Sequence, residues 1–248
     1  MTLEQFFAEN REVAIAFSGG VDSAYLLYAA TRYAARAKAY YVSTAFQPEF
    51  ELEDARRLAA DVGADMQVLH VDVLMSGAVV ANPPDRCYHC KNTLFRQILR
   101  AAENDGFPVL LDGTNASDDA GDRPGMRALR ELSVRSPLRE CGLTKAEIRR
   151  LSREAGLFTW DKPAYACLAT RIRTGEEITL QKLKQTEKAE GFLFGLGLRD
   201  FRVRMVGNTA KLELRETDLP LLLENREKIV TELRKDYDSV LLNLEVRK

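Results

Sequence analysis

The chain has 248 residues, of which 46% are hydrophobic, and a formal net charge of −1. This length and apolar content suffice for one large domain, or for a domain with a smaller second one. A near-neutral charge argues against broad, sequence-independent binding of nucleic acid, which requires a basic surface. No run of about 18 apolar residues predicts a membrane span. The first residues lack the basic and apolar regions of a signal peptide, so we expect a soluble cytoplasmic protein.

Strand and helix patterns alternate through the first two thirds of the chain. Short apolar runs predict strands at residues 13–17, 39–44, 66–71 and 108–112. Helical patterns follow them at residues 23–36, 52–62, 91–104 and 144–155. The last of these helices begins with Thr144 and, three residues later, Glu147, which is a capping-box spacing. Strands that alternate with helices indicate an α/β fold, in which a parallel sheet carries helices on both faces.

The pattern changes after about residue 175. A helix at 180–191 is followed by two alternating strands, 201–206 and 210–214, which flank a Gly-Asn turn. A long helix at 219–235 and a strand at 240–246 come next. We therefore predict two domains, a large α/β domain over 1–175 and a small α+β domain over 176–248.

The stretch AFSGGVDSA, residues 16–24, lies between the first predicted strand and the first predicted helix, where a phosphate-binding loop is expected. Gly19 and Gly20 permit a tight turn and close approach of an anion to the backbone N–H groups of the helix start. Ser18 and Ser23 add hydroxyl donors, and Asp22 is suited to orienting the loop or holding Mg²⁺. The spacing matches neither a Walker loop nor a dinucleotide fingerprint. A plain glycine turn with a Ser/Asp helix cap is the alternative.

The complete SGGVDS resembles the signature of the N-type ATP pyrophosphatases, also called PP-loop enzymes. That resemblance implies an adenine nucleotide alpha hydrolase-like fold and cleavage of ATP between its α and β phosphates. It places the adenine near the end of the second strand, at 41–44, where we assign Ser43 to ATP binding.

A second polar cluster, DGTNASDDAGDRPG at 112–125, follows the fourth predicted strand. Ligands of open α/β sheets bind at this carboxyl edge of the strands. We assign Gly113 and Arg123 to ATP binding. Three carboxylates are candidates for Mg²⁺, namely Asp118, Asp119 and Asp122. The alternative is a solvated acidic loop.

The cysteines suggest a metal site. Cys87 and Cys90 form a C-x-x-C pair just before a predicted helix, and Cys167 lies in the loop DKPAYACLATRI. If that loop folds back over the carboxyl edge of the sheet, the three thiolates converge, which suits a 4Fe-4S cluster with one open iron. A second hypothesis is a zinc ion with Cys141 or His89 as the fourth ligand. A third is that the three cysteines are unrelated buried thiols.

Seven segments in order, spread over nearly the whole chain, resemble the LarE family: SGGVDS, NPPDRCYHCK, DGTNASDDAGDRPG, SPLRE, LTKAEIR, WDKPAYACLATRI and FRVR. LarE proteins are ATP-dependent sacrificial sulfur transferases that help to make the nickel-pincer nucleotide cofactor of lactate racemase. The resemblance implies adenylation of the carboxylates of pyridinium-3,5-biscarboxylate mononucleotide, release of pyrophosphate, and replacement of AMP by sulfur. It also implies lactate racemase maturation proteins as partners, no nucleic-acid or membrane partner, and a homo-oligomer such as a hexamer.

The resemblance assigns the main catalytic role to Cys167, with Asp22 in the adenylation step. In single-cysteine LarE proteins the residue matching Cys167 gives up its sulfur and becomes dehydroalanine. This chain departs from that pattern through Cys87 and Cys90, because similar three-cysteine members carry a 4Fe-4S cluster whose open iron holds a transferable sulfide. The resemblance therefore makes Cys167 the third cluster ligand and leaves both sulfur sources open.

Candidate substrate-binding residues lie in the predicted C-terminal domain and just before it. Arg202 and Arg204 alternate on one predicted strand, point to one face of the sheet, and resemble a phosphate-binding arginine pair. A solvated strand face is the alternative. Arg171 is a candidate for meeting substrate or AMP, and Glu190 matches an acidic family position.

Two other functions compete with sulfur transfer to a pyridinium mononucleotide. A tRNA-thiolating or amidating enzyme would use the same loop, and a nucleotide-responsive iron–sulfur or zinc module would sense without catalysis.

Overall fold

A computed structural model describes residues 1–118 and 124–247 of the chain. These residues divide into two compact units. The first unit takes the described residues within 1–73 and 85–164, and the second takes those within 74–84 and 165–248.

In chain order the strands are β1 (Glu12–Ala16), β2 (Arg36–Ser43), β3 (Asp65–His70), β4 (Val109–Leu111), β5 (Phe201–Val206), β6 (Thr209–Leu214) and β7 (Ser239–Leu242). The helices are α1 (Leu3–Glu9), α2 (Val21–Tyr33), α3 (Glu49–Asp61), α4 (Gly77–Val80), α5 (Arg86–Asn104), α6 (Pro124–Glu131), α7 (Pro137–Glu140), α8 (Lys145–Glu154), α9 (Leu180–Gly195), α10 (Leu219–Glu224) and α11 (Arg226–Leu233). Single 3₁₀ turns span Val73–Met75, Phe158–Asp161, Leu168–Arg171 and Glu216–Asp218.

The first unit is built on a parallel sheet with the strand order β3-β2-β1-β4. Side chains alternate along β1, so Val13 and Ile15 enter one hydrophobic core while Ala14 enters the other. The first core includes residues of α2, α3 and α8, and the second includes Ile98 of α5. Both faces of the sheet are therefore covered, which confirms the predicted α/β fold.

The second unit contains a three-stranded sheet with the order β5-β6-β7. β5 and β6 form the predicted antiparallel hairpin, and Gly207 takes a left-handed φ of 58° at its turn. β7 joins β6 in parallel. None of the helices in the described residues is long and apolar enough to cross a membrane.

Several boundaries differ from the predictions. The helix predicted at 219–235 is wrong as one element, because α10 and α11 meet at Asn225. The helix predicted from residue 91 begins at Arg86, so the C-x-x-C pair lies inside its first two turns. The helix start at Thr144 is confirmed, since its hydroxyl accepts from the Glu147 N–H while the Glu147 side chain accepts from the Thr144 N–H.

Candidate active site

The phosphate loop joins the central strand β1 to α2. Gly19 has a φ of +73°, and a Cβ at that position would lie 3.2 Å from the Cβ of Ala55. Conformation and space therefore both favour glycine. Gly20 occupies the N-cap of α2 with an extended φ of −80° and, being glycine, brings no side chain to cap the helix. The first N–H groups of α2 and its dipole thus form an anion-binding end.

The two serines of the loop stabilise this turn. The hydroxyl oxygens of Ser18 and Ser23 lie 3.0 Å apart, and the Ser23 hydroxyl donates to the carbonyl of Gly20 at 3.2 Å. The loop is therefore held by its own side chains before any ligand binds.

The loop after β4 packs directly against the phosphate loop. A Cβ on Gly113 would lie 2.8 Å from the backbone nitrogen of Ser23, so a larger residue would push the loops apart. Farther along, the Asn115 N–H donates to the Asp118 carboxylate at 2.9 Å. The remaining predicted residues of this loop, Asp119, Asp122 and Arg123, lie outside the described residues.

Asp22 belongs to the loop and is paired with Lys145, which the sequence patterns did not single out. The Lys145 ammonium lies 2.5 Å from one carboxylate oxygen, Oδ2. The other oxygen, Oδ1, is buried and has no hydrogen-bond partner among the described residues. Burial raises the pKa of the Asp22 carboxyl above its usual range, and Lys145 opposes that shift.

A second lysine, Lys162, contacts the glycine turn of the loop, and the sequence patterns did not single it out either. Its ammonium is 2.7 Å from Asp54 and 3.4 Å from Glu51, two acids of α3. It also donates to the carbonyl of Gly19 at 3.5 Å. Burial raises the pKa of the Glu51 carboxyl, and the Lys162 ammonium opposes this.

The region proposed for adenine lies at the carboxyl end of β2, next to β1. Ser43 ends β2 in register with His70, and its carbonyl accepts from the Val71 N–H at 3.0 Å. Tyr41 is buried, and burial raises the pKa of its hydroxyl far above the usual value. The assignment of Ser43 to ATP binding stays a prediction.

The C-x-x-C pair lies in the first two turns of α5. Cys87 is exposed and Cys90 half-buried, and a spacing of three places both thiols on one side of the helix. The Arg86 guanidinium is 4.0 Å from the Cys87 sulfur. Within the described residues, no group of three or more His, Cys, Asp or Glu side chains is arranged to hold a metal ion.

Cys167 begins the 3₁₀ turn Leu168–Arg171 in the second unit. Its carbonyl accepts from the N–H of Thr170 at 2.9 Å and from the Thr170 hydroxyl at 2.8 Å. Arg171 approaches the same carbonyl at 3.5 Å and donates to the carbonyl of Ala166 at 3.0 Å. The backbone on both sides of the Cys167 thiol is therefore anchored.

Arg171 is itself fixed by Glu190 of α9. Two guanidinium nitrogens meet the two carboxylate oxygens at 2.8 and 3.0 Å, and these side chains are 0% and 2% exposed. Burial alone would lower the pKa of Arg171, but its hydrogen bonds to Glu190 raise it. Glu190 also accepts from the Tyr165 hydroxyl and from the Val203 N–H. One buried carboxylate thus connects the Cys167 turn with β5.

The predicted arginine pair lies on β5 as expected. Arg202 is buried beside the Tyr165 ring and 3.8 Å from Asp200, and burial lowers its pKa. Arg204 is half-buried, with its Nε 2.9 Å from Glu213 and a hydrogen bond to the carbonyl of Thr170. Their substrate role stays a prediction, as does that of Arg171.

Four similarities to known proteins bear on this site. Residues 4–118 match the family model described as asparagine synthase. An uncharacterised protein of Synechocystis is 39% identical over 86% of this chain and 80% of its own length. The pyridinium-3,5-bisthiocarboxylic acid mononucleotide synthase of Lactiplantibacillus plantarum is 30% identical over 94% of this chain and 85% of its own length. A tRNA-specific 2-thiouridylase of Thermotoga petrophila is more distant, at 24% identity over 59% of this chain and 52% of its own.

The central strand of the parallel sheet turns through paired glycines into a helix, and the asparagine synthase match extends across this region. These features define an ATP-using enzyme of the PP-loop class. Within that class the chain belongs to the LarE family, because its likeness to the L. plantarum synthase extends over nearly its whole length. It is accordingly a sulfur transferase that uses ATP.

Proposed function

We propose that this enzyme converts pyridinium-3,5-biscarboxylic acid mononucleotide into the bisthiocarboxylic acid in the synthesis of a nickel-pincer nucleotide cofactor. A carboxylate oxygen of the substrate attacks the α-phosphorus of ATP, and pyrophosphate leaves. A sulfur nucleophile then attacks the acyl carbon of the acyl-adenylate, and AMP leaves with the bonding pair. The second carboxylate reacts in the same way. The name of the L. plantarum relative supports this substrate.

The observation that carries the proposal is the phosphate loop between β1 and α2. Its helix start, glycine turn and Asp22 suit the triphosphate of ATP with Mg²⁺. Ser18, Gly19, Gly20, Ser23 and Gly113 form the cradle. In this role the backbone donors of the loop bind phosphate oxygens and favour the charge that gathers on the departing pyrophosphate.

We assign the sulfur chemistry to Cys167, whose flanking backbone is anchored by Thr170 and Arg171. If the donor is Cys167 itself, its Sγ forms a thioester with the substrate. Loss of the Cα proton then breaks the Cβ–S bond, which leaves dehydroalanine and a thiocarboxylate. Arg202 and Arg204 are proposed to bind the substrate phosphate, with Arg171 supporting the turn.

The alternative donor is a 4Fe-4S cluster held by Cys87, Cys90 and Cys167. The two thiols lie on one side of α5 near its start, which suits them to bind two of the four irons. When bound, such a cluster would supply sulfide from its open iron and spare the cysteine. We propose the cluster as the donor in this chain, because Cys87 and Cys90 are present in addition to Cys167. A replaceable sulfide would also allow repeated turnover.

The test combines two measurements on protein prepared without oxygen. Incubation with ATP, Mg²⁺ and the pyridinium mononucleotide should release pyrophosphate and give a product whose mass shows sulfur in place of oxygen. Iron and acid-labile sulfide are measured on the same sample, and about four of each per chain supports the cluster. Thiolation of tRNA with no reaction of the mononucleotide would instead favour the tRNA-modifying function. ATP binding without any pyrophosphate release would favour a sensor.

A further inference from the structure

Lys145 and Lys162 are two cations that contact residues of the phosphate loop. Lys145 extends from the first turn of α8 to Asp22, and Lys162 extends from just beyond the 3₁₀ turn Phe158–Asp161 to Asp54 and to the Gly19 carbonyl. Their side chains are 36% and 14% exposed. Neither lies in the SGGVDS motif, so only the fold brings them to the loop.

The helix α8 sets the position of both lysines. Lys145 is its first residue, and its N–H donates to the Ser117 hydroxyl in the loop after β4 at 2.9 Å. One turn later, Arg149 donates to the carbonyls of Trp160 and Lys162 at 2.6 and 2.9 Å. The backbone of Lys162 is therefore fixed by the same helix that carries Lys145.

The ion pair between Asp22 and Lys145 does not satisfy every polar atom of the carboxylate. Asp22 meets Lys145 through one oxygen, and its second oxygen is buried with no hydrogen-bond partner among the described residues. A buried carboxylate oxygen of this kind is costly unless a ligand or ion completes it. The unmet acceptor and the adjacent helix start both suit a cluster that takes a further partner.

We propose that Lys145 and Lys162 bind the β- and γ-phosphates of ATP, and that in the nucleotide-free protein they are held on Asp22 and on Asp54 with Glu51. The proposal rests on the proposed use of ATP and adds the residues that bind the departing pyrophosphate. Lysine suits this exchange because its compact charge sits on a flexible stem and forms strong charge-assisted hydrogen bonds with phosphate oxygens. Once a lysine has moved to phosphate, Asp22 has both oxygens for Mg²⁺.

The test compares the affinity of the full chain for α,β-methylene ATP and for AMP by calorimetry with Mg²⁺ present. AMP is the matched ligand, since it lacks the β- and γ-phosphates. We expect Lys145→Gln and Lys162→Gln each to lower the affinity for the analogue by about tenfold or more. Each should lower the affinity for AMP by less than about threefold. Lys145→Arg keeps a cation and should lie closer to wild type. Arg150→Gln removes an exposed cation of α8 that pairs with Glu154 and should bind both ligands normally.

The contact between Lys162 and Asp54 has its own test, in which the affinity for the analogue should rise and not fall. Asp54→Asn removes an anion that competes for Lys162, so the analogue should bind about threefold more tightly. Weaker or unchanged binding would overturn the part of the proposal that concerns Asp54. Thermal unfolding of every variant establishes that it is folded before its affinity is used.

The outcomes separate this inference from the proposed function. Folded Lys→Gln variants that bind the analogue like wild type overturn the inference, as does an equal loss of AMP and analogue affinity, which would mean that the lysines only shape the loop. A wild-type protein that binds the analogue but releases no pyrophosphate with the mononucleotide contradicts the proposed function and leaves the lysine assignment standing. A wild-type protein that does not bind the analogue overturns both.

Discussion

The two units hold their functional charges in different ways. In the first unit, Lys145 and Lys162 remain partly exposed and pair with acids beside the phosphate loop. In the second, Arg171 is fully buried and divides its hydrogen bonds between Glu190 and the backbone around Cys167. A flexible ammonium can exchange one anion for another, whereas a buried bidentate guanidinium fixes the groups that it contacts. The first arrangement suits a ligand that enters and leaves, and the second suits a reactive segment that must keep its shape.

The largest effect should come from removing the carboxylate of the phosphate loop. We expect Asp22→Ala to reduce pyrophosphate release by about a thousandfold, because the loop loses a charge that orients Mg²⁺ and the partner of Lys145. The measurement is pyrophosphate release at saturating ATP and substrate. Iron content should stay at the wild-type value, because Asp22 belongs to the loop and not to the cysteine segments.

Asp61→Ala is the matched control for that variant, since Asp61 is an exposed acid of α3 that pairs with Arg57. It should release pyrophosphate at the wild-type rate. A rate for Asp22→Ala within about tenfold of wild type would show that the loop works without its acid.

The next effect tests whether the buried network really is fixed. Glu190→Gln leaves the Arg171 guanidinium buried without a counter-charge, so we expect the free energy of unfolding to fall by about 3–5 kcal/mol. Urea unfolding followed by circular dichroism measures this. The exposed Glu224 of α10 provides the control, and Glu224→Gln should change stability by less than about 0.5 kcal/mol. Equal stability of Glu190→Gln and wild type would remove the contrast between the two units.

A third variant separates adenylation from sulfur delivery. Cys87→Ser should lower bound iron and turnover by about tenfold while pyrophosphate release continues, because the thiol belongs to the proposed cluster and not to the phosphate loop. Cys141→Ser, at a half-buried thiol outside the C-x-x-C pair, is the control. Normal turnover of Cys87→Ser with a supply of sulfide would contradict the cluster assignment.

The smallest expected effect concerns the helix that carries Lys145. Thr144→Ala removes the capping box of α8 and should cost about 1 kcal/mol of unfolding free energy. Thr144→Ser keeps the hydroxyl and should recover most of that stability. A loss of more than about 3 kcal/mol would mean that Thr144 has a role beyond capping.

Much of the framework was predictable from local sequence. The apolar runs around Ile15 and Leu110, and the glycines at 19 and 20, predicted the parallel sheet and its phosphate loop. The elements that were missed or misplaced are short or lack a distinctive period, such as the four-residue α7 and the junction of α10 and α11 at Asn225. Their form depends on packing against neighbours, which periodicity does not report.

The sequence by itself determined the alternation of strands and helices, the position of the phosphate loop, and the spacing of the C-x-x-C pair. These properties depend on residues close together in the chain, through side-chain period, glycine φ angles and helix caps. Only the tertiary structure decided that Lys145 meets Asp22, 123 positions away, that Lys162 meets Asp54, 108 positions away, and that Glu190 holds Arg171. Ion pairs of long side chains depend on how distant segments pack, and no short-range pattern encodes that.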